Sequence, residues 1–439
     1  MKSQPRADVL REAGDKLADP VSRRRFLTYA AGTTAALVVP GALAACGGSS
    51  TSTATGGSTS TGATGAAKAT KVTGTFVNQV HTLADEFFKN WNEGFKSACT
   101  ALGVDEKSVY PNFDVTREIS QARQVKQTGG VGLAGVPSGP SATPVLSRIC
   151  QESGVKYICG FDSEAWFTPQ DVGDEWITFL TPETRSGMKD VATTVFESVD
   201  GKGEFIHIMG RPGSSTDRWR TLGVDDALKD FPNIKMVARR PCDWTREAGR
   251  KTMLNLLSAY PNVSCVIAQS DAIALGVLSV LEERGMKNVK VGGADGIPEM
   301  IPKLAGSNFV ASSANFGYFM AGYCAVMIYD ALNGWKPSGP ERLQYSGALL
   351  VTEKEIPLMK KAYDYAAKPF DWRLMSRTLN PDTWDPQFKI TPANPEDLWK
   401  DFPKKVELNS AWTSASIGDE IAKATAQYAS HYKTGPLKS

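Results

Sequence analysis

From Val72 onward, short apolar runs alternate with stretches in which apolar residues recur every three or four positions, the periodicities of strand and helix. Residues 72–77 read as a strand. Residues 84–102 read as a helix with Phe87, Phe88, Trp91, Phe95 and Ala98 on one side. The alternation continues with helix over 121–127, strand over 131–136, helix over 144–152 and strand over 155–160. It resumes with helices at 187–199, 219–230, 245–259, 272–283 and 298–304, interleaved with strands at 204–209, 234–239, 263–268 and 289–292. Strand–helix units of this spacing build parallel sheets covered by helices on both faces. Two such sets, before and after about Thr181, predict an α/β protein of two doubly wound lobes.

Beyond Gly334 the pattern changes. Residues 335–439 are rich in proline and carry five tryptophans, Trp335, Trp372, Trp384, Trp399 and Trp412, with helical stretches at 355–367 and 417–431. Long apolar periodic runs are lacking, so this segment is expected to wrap the globular body, with 355–439 as a C-terminal extension.

The amino-terminal segment follows another logic. Ser22-Arg23-Arg24-Arg25-Phe26-Leu27 leads into a weakly apolar run to Ala45 and then Cys46, the layout of an export signal. The arginine pair before Phe-Leu resembles a bacterial twin-arginine signal, a receptor-read address. Gly32, Thr33, Thr34, Pro40 and Gly41 make the run poor as a permanent membrane helix. Leu43-Ala44-Ala45-Cys46 resembles a lipobox, whose cysteine becomes the lipidated first residue of the mature chain; a plain cleaved signal is the alternative. Residues 47–70 are almost entirely Gly, Ser, Thr and Ala, a flexible tether that favours lipidation at Cys46. The expected location is therefore extracytoplasmic and lipid-anchored to the cell membrane.

Composition narrows the function classes. With 439 residues, 41% apolar and 22% charged, the chain has a globular composition and room for two or three domains. A net charge of +2 gives no electrostatic reason to expect nucleic acid. Three histidines, His81, His207 and His431, leave little scope for histidine-based metal or catalytic sites. The motif Gly130-Val131-Gly132-Leu133-Ala134-Gly135 fits the dinucleotide fingerprint, but it is itself the strand and runs into Pro137-Ser138-Gly139-Pro140, which does not open a helix. No cofactor and no metal is expected. After Cys46 come Cys99, Cys150, Cys159, Cys242, Cys265 and Cys324, widely spread; disulfides and small buried hydrophobes remain equally open.

Candidate chemistry gathers at the strand ends. Asp85 and Phe87-Phe88 follow the first strand, and Asp162 closes the strand at 155–160. Arg220 stands at a helix start, Ser270-Asp271 follows the strand at 263–268, and Asp295 follows 289–292. In open parallel α/β sheets the ligand crevice lies outside the carboxyl ends of strands, so these residues should converge on one cleft. Carboxylates bridge neighbouring sugar hydroxyls, arginine donates to hydroxyl oxygens, and Phe87, Phe88 and Trp244 offer flat partners to a ring. Each residue also has a plain structural reading. Asp85 and Ser270 suit helix N-caps, the phenylalanines suit a core, and Asp295 suits a turn.

Several stretches together carry a resemblance. They are Asp85-Glu86-Phe87-Phe88 with Gly94 downstream, the run from Gly154 to Asp162, and Arg220-x-x-Gly223. Ala268-Gln269-Ser270-Asp271-x-x-Ala274-Leu275-Gly276, Gly292-Gly293-Ala294-Asp295-Gly296 and Asn315 complete the set. In this order, from about Val72 to Val351, the chain resembles the type I periplasmic sugar-binding proteins of the ribose and glucose/galactose kind. These are the substrate-binding components of ABC importers. The resemblance implies two lobes joined by a three-crossing hinge, with crossings near Thr181, Asn315 and Tyr345. Lobe 1 would hold 71–180 with about 316–345, and lobe 2 would hold 181–315 with about 346–354. It places hydroxyl partners at Asp85, Asp162, Arg220, Ser270, Asp295 and Asn315, and stacking aromatics at Phe87, Phe88 and Trp244. Ser270 stands where the family usually has Asn, and Ser163 where the ribose binders have a second Arg; both shorten reach. The hinge run Thr181-Pro182-Glu183-Thr184-Arg185-Ser186-Gly187 lacks the family's usual Asp.

The expected function is capture of a monosaccharide or sugar alcohol by a monomeric receptor that delivers it to ABC permease subunits. A receptor of the same fold for a non-sugar solute, or one that presents its ligand to a sensor, is the alternative. A hydrolase using Asp85, Asp162 or Asp295 is disfavoured, because nothing in the spacing calls for an acid–base pair.

Overall fold

The structure is a computed structural model that describes residues 72–399, 401 and 407–438. The arginine run, Cys46 and the Gly/Ser/Thr/Ala stretch lie outside the described residues.

The first part of the chain runs β1 (Thr75–Gln79), α1 (Glu86–Leu102), β2 (Asp105–Val109), α2 (Val115–Gln127), β3 (Gly130–Gly135), α3 (Thr143–Ser153), β4 (Lys156–Gly160) and β5 (Trp176–Pro182). The second part runs α4 (Thr184–Glu197), β6 (Lys202–Met209), α5 (Ser215–Leu228), β7 (Asn233–Pro241) and α6 (Arg246–Ala259). It continues with β8 (Cys265–Ala268), α7 (Asp271–Glu283), β9 (Lys290–Asp295) and β10 (Phe309–Ala314). The last part comprises α8 (Gly317–Leu332), β11 (Leu343–Ser346), β12 (Leu349–Val351), α9 (Ile356–Ala362), α10 (Trp372–Met375), β13 (Ile390–Pro392), α11 (Pro395–Trp399) and α12 (Ile417–His431).

The described strands form two sheets, in the orders β13-β11-β5-β4-β3-β1-β2 and β12-β10-β9-β8-β6-β7. Neighbours are parallel except at one edge of each sheet, where β13 runs antiparallel to β11 and β12 antiparallel to β10. Each sheet with its helices is one lobe of a two-lobed α/β fold. Among the described residues the chain passes between the sheets after β5, after β10 and after β11, as expected, and a fourth time after β12, when the extension returns to add β13 to the first sheet.

Helix pairs approach closely where a side chain is missing. A Cβ on Gly94 of α1 would meet the Tyr318 carbonyl oxygen of α8 at 1.9 Å, and one on Gly223 of α5 would meet the Arg185 carbonyl oxygen of α4 at 2.3 Å. The Gly130–Gly135 run is β3, and its glycines serve packing. A Cβ on Gly132 would strike the Ile328 side chain at 2.4 Å, and one on Gly135 the Gln79 carbonyl oxygen at 2.2 Å.

Several elements differ from the sequence expectation. Helix α2 begins at Val115, six residues earlier than expected, because the Asp114 carboxylate caps it by accepting from Arg117 N at 3.0 Å. Helix α5 begins at Ser215, four residues early, capped by Ser214 on Asp217 N at 3.1 Å. Arg220 is therefore inside the helix, not at its start. The expected 298–304 helix is only a 3-10 turn over Ile301–Leu304, and the 355–367 helix stops at Ala362. Strand β2 was hidden by its polar edge sequence, Asp-Glu-Lys-Ser-Val, and β5 by complete burial, which removes alternation. The six described cysteines after Cys46 are unpaired; all are buried but Cys242, which is half-buried. No described helix is long and apolar enough to cross a membrane.

The extension touches both lobes. Tyr363 Oη donates to the Gly296 carbonyl at 2.5 Å in lobe 2, and two residues later Tyr365 Oη donates to Asn90 Oδ1 of α1 at 2.7 Å. The chain then runs mainly along lobe 1 and meets lobe 2 again at Asp401, whose carboxylate pairs with Arg185 and whose carbonyl accepts from Arg218. Trp372 Nε1 donates to Ser97 Oγ at 2.9 Å, β13 joins the sheet, and Trp412 Nε1 donates to Thr168 Oγ1 at 3.0 Å.

Candidate functional site

The carboxyl ends of β1, β3, β4, β6, β8 and β9 point into one cleft between the lobes. There they enclose a cavity of about 90 Å³. Lobe 1 lines it with His81, Asp85, Phe87, Phe88, Phe161 and Asp162, and lobe 2 with Arg211, Arg220, Trp244, Ser270 and Asp295. Strand-to-helix turns put N-caps here, so a residue can cap a helix and face the cleft together. Asp85 Oδ1 accepts from Phe87 N at 2.8 Å and Phe88 N at 3.3 Å, and Ser270 Oγ accepts from Ile273 N at 3.2 Å.

Asp295 ends β9 with a backbone φ of +104°, a region an L-residue adopts only when its surroundings impose it. Its Oδ1 accepts from Arg220 Nη2 at 2.6 Å and from Asn315 Nδ2 at 3.1 Å. Arg220 Nη1 also donates to the Gln269 carbonyl, and the guanidinium lies 5.7 Å from the Trp244 ring centre. Arg220 Nε and Asn315 Oδ1 are buried without partners, so polar capacity remains beside Asp295. Asn315 does not line the cavity. It stands behind Asp295 and orients it.

Asp162 Oδ1 accepts from Ser215 N at 2.6 Å, so a lobe 1 carboxylate holds the first turn of a lobe 2 helix. A second bridge lies at the rim, where His81 stacks on Phe113 with centroids 4.1 Å apart and the Arg211 guanidinium covers the other side of Phe113 at 4.1 Å. The lobes are closed on each other. Ser163 faces away from the ligand space; its hydroxyl donates to the Phe167 carbonyl at 3.1 Å.

Burial sets the protonation of the carboxylates. It pushes Asp85 up to about 6, with the Asp295 charge adding and the Phe87 and Phe88 N–H groups opposing. Asp162 is pushed up to about 6 by burial against the Ser215 hydrogen bonds. Behind the cavity, Glu118 accepts from Ser138 N at 3.1 Å, and burial raises it to about 7. Burial and then Arg211 lower His81 to about 3, so its ring is neutral. Among the described residues no cluster of three or more His, Cys, Asp or Glu side chains is placed to hold a metal ion.

The aromatic wall is built from edge contacts. Phe87 meets Phe161 at 5.5 Å and 88°, and Phe88 at 5.5 Å and 81°. Trp244 lies flat on Gly210, where a Cβ would sit 1.8 Å from the indole. Residue-by-residue reading passed over His81, Phe113, Ser138, Phe161 and Arg211 as cavity residues. Position was their signal, for His81, Ser138, Phe161 and Arg211 each lie within three residues of a strand's carboxyl end.

Residues 76–336 match the periplasmic binding protein domain family. The chain belongs to that family. Among curated relatives, this periplasmic binding protein is 24% identical over 232 residues to the xylitol-binding protein of Mycolicibacterium smegmatis, covering 53% of the present chain and 64% of the relative. It is 25% identical over 225 residues to the ribose import binding protein of Escherichia coli, covering 51% of this chain and 73% of that one. The chain thus spans slightly under two thirds of the xylitol-binding relative. Among solved structures, a twin-arginine translocation pathway signal protein from Burkholderia phytofirmans superposes with a TM-score of 0.64 at 21% identity, covering 68% of this chain and 94% of that one. A periplasmic solute binding protein of an ABC transporter from Actinobacillus succinogenes, with bound D-allose, gives 0.60 at 18% identity, covering 65% and 99%. These likenesses show the two-lobed fold of type I periplasmic binding proteins. Both curated relatives are named as binding proteins, one for a polyol and one for a sugar.

Proposed function

We propose that this protein is the substrate-binding component of a carbohydrate ABC importer, exported through a twin-arginine signal and anchored by a lipid on Cys46. It captures a monosaccharide or sugar-alcohol group between its lobes and delivers it to permease subunits. The observation that carries this reading is the interlobe cavity itself. Asp85 and Asp162 from one lobe and the Arg220–Asp295 pair from the other surround a space walled by Phe87, Phe88 and Trp244. Carboxylates accept from hydroxyls, arginine donates to them, and aromatic faces cover the C–H side of a sugar. The named relatives that bind xylitol and ribose support the same ligand class.

A thermal-shift screen across pentoses, hexoses, polyols and cyclitols, followed by calorimetry on the hits, tests the binding role. The expected result is saturable binding of at least one carbohydrate, recovered chemically unchanged. No hit in any class, or turnover of the ligand, overturns it. Anchoring is tested separately. Cys46→Ser should move the protein from the membrane fraction to the soluble one, and unchanged fractionation would remove the lipid from the proposal.

A further inference from the structure

The inner cavity is small. An engineered apolar cavity of about 150 Å³ accommodates benzene, a bare six-membered ring. The cavity between Asp162 and Trp244 measures about 90 Å³. A space of that size takes a narrow polyol or part of a sugar, and a further group on the ligand would extend past it. The cavity is held at that size by contacts that cross the cleft, Asp162 with Ser215 N at 2.6 Å and Phe113 with Arg211 at 4.1 Å.

Beyond Trp244 the cleft opens into a second chamber of about 430 Å³. Asp85, Phe88, Phe113, Arg211 and Trp244 belong to the walls of both spaces, so the two are continuous. The outer chamber is also shared by the lobes. Thr82, Glu86 and Lys89 come from lobe 1, and Asp243, Arg246 and Glu299 from lobe 2. Its charges offset one another. Arg246 pairs with Glu299, Arg211 pairs with Asp243 at 3.2 Å, and Lys89 stands against Glu86. With the arginines already paired, the chamber has no concentrated positive charge for a phosphate, and Asp85, which it shares with the inner cavity, is already held by the Phe87 and Phe88 N–H groups. What it offers is many donors and acceptors around the apolar surfaces of Trp244, Leu275 and Ile297, a lining suited to a neutral hydroxylated unit.

We infer that the outer chamber is a second subsite and that the ligand is a neutral glycosylated sugar or polyol. Its head group occupies the inner cavity, and its second hydroxylated unit lies past Trp244 between Lys89 and Arg246. This inference rests on the carbohydrate reading above and specifies the ligand's size.

The experiment is calorimetry on the mature chain with matched pairs of ligands, each free sugar or polyol alongside its glycosylated counterpart. At least one glycosylated member should bind about tenfold or more tightly than its free head group, a gain of about 1.4 kcal/mol. Ala272→Phe places a ring in the outer chamber alone and should erase that gain while leaving the affinity of the free head group within about twofold. Free sugars that bind while every glycosylated counterpart binds more weakly would overturn the second subsite and leave the binding role intact. A gain that survives Ala272→Phe would also overturn it. Failure of both members of every pair would overturn the carbohydrate reading and this inference with it.

Discussion

Arg220 and Asp295 form an ion pair at 2.6 Å in which the arginine side chain is 2% exposed and the aspartate 14%. The pair comes from α5 and the end of β9, which meet only in the folded lobe. One lobe thereby presents a donor and an acceptor side by side at the cleft. Asp295→Ala would leave the Arg220 charge buried without its partner. Breaking such a pair costs about 3–5 kcal/mol of stability. Loss of a charged hydrogen-bond partner for a ligand hydroxyl costs about 1.5–3 kcal/mol, roughly 10- to 100-fold in affinity. Asp295→Ala should therefore melt earlier and bind more weakly. A variant with parental affinity would remove Asp295 from the site.

The Asp162–Ser215 contact joins the lobes directly, so Asp162 serves both closure and ligand. Asp162→Ala should shift the unliganded protein toward open forms, and small-angle scattering should give it a larger radius of gyration than the parent. Saturating ligand should compact both proteins by favouring the closed state through its differential contacts. Identical radii for parent and variant, with and without ligand, would mean a rigid cleft.

Binding should release protons near pH 6. Burial holds Asp85 and Asp162 at about 6, and a hydroxyl that donates to either carboxylate favours the ionised form and lowers its pKa in the complex. Affinity therefore rises from pH 5 to pH 7 and levels off above. Calorimetry at pH 6 in two buffers of different ionisation heat reads the released proton directly. Net uptake would contradict the assignment, and Asp85→Asn should reduce the release. The unliganded protein shows the matching sign. Its raised carboxylates bind protons that the unfolded chain releases, so their contribution to stability grows as pH falls from about 7 towards about 4.

Tyr363 and Tyr365 hold opposite lobes from positions two residues apart. The Gly296 carbonyl that accepts from Tyr363 directly follows Asp295, and Asn90, which accepts from Tyr365, lies on the helix capped by Asp85. Tyr363→Phe and Tyr365→Phe each remove one hydrogen bond and keep the ring. Each should cost about 0.5–1.5 kcal/mol of stability, and the double variant should exchange amide hydrogens faster around Gly296 and α1. Unchanged exchange there would show that the extension does not restrain the lobes.

Much of this molecule is legible without a fold. Asp85 and Ser270 cap helices and line the cleft because both roles belong to the residue that opens the helix following a strand, a position that local pattern reveals. The alternation of strand and helix is likewise local, for it depends on side-chain period alone. Elements without a period stayed hidden. β5 is buried on both faces and β2 is polar, so neither carries the alternation that marks a strand.

The amino-acid sequence by itself determined the two α/β lobes and the helix caps at Asp85 and Ser270, because each follows from short-range periodicity and residue type. Only the tertiary structure decided which residues face each other across the cleft. It set Asn315 behind Asp295 instead of in the cavity, turned Ser163 into its own loop, and brought His81, Phe113 and Arg211 into one stack. It also decided the division of the cleft into a small inner cavity and a larger outer chamber. The physical reason is that, Ser163 aside, these contacts join residues tens of positions apart in the chain. Their geometry is set by how two finished lobes and a C-terminal strap pack, and no local pattern encodes that.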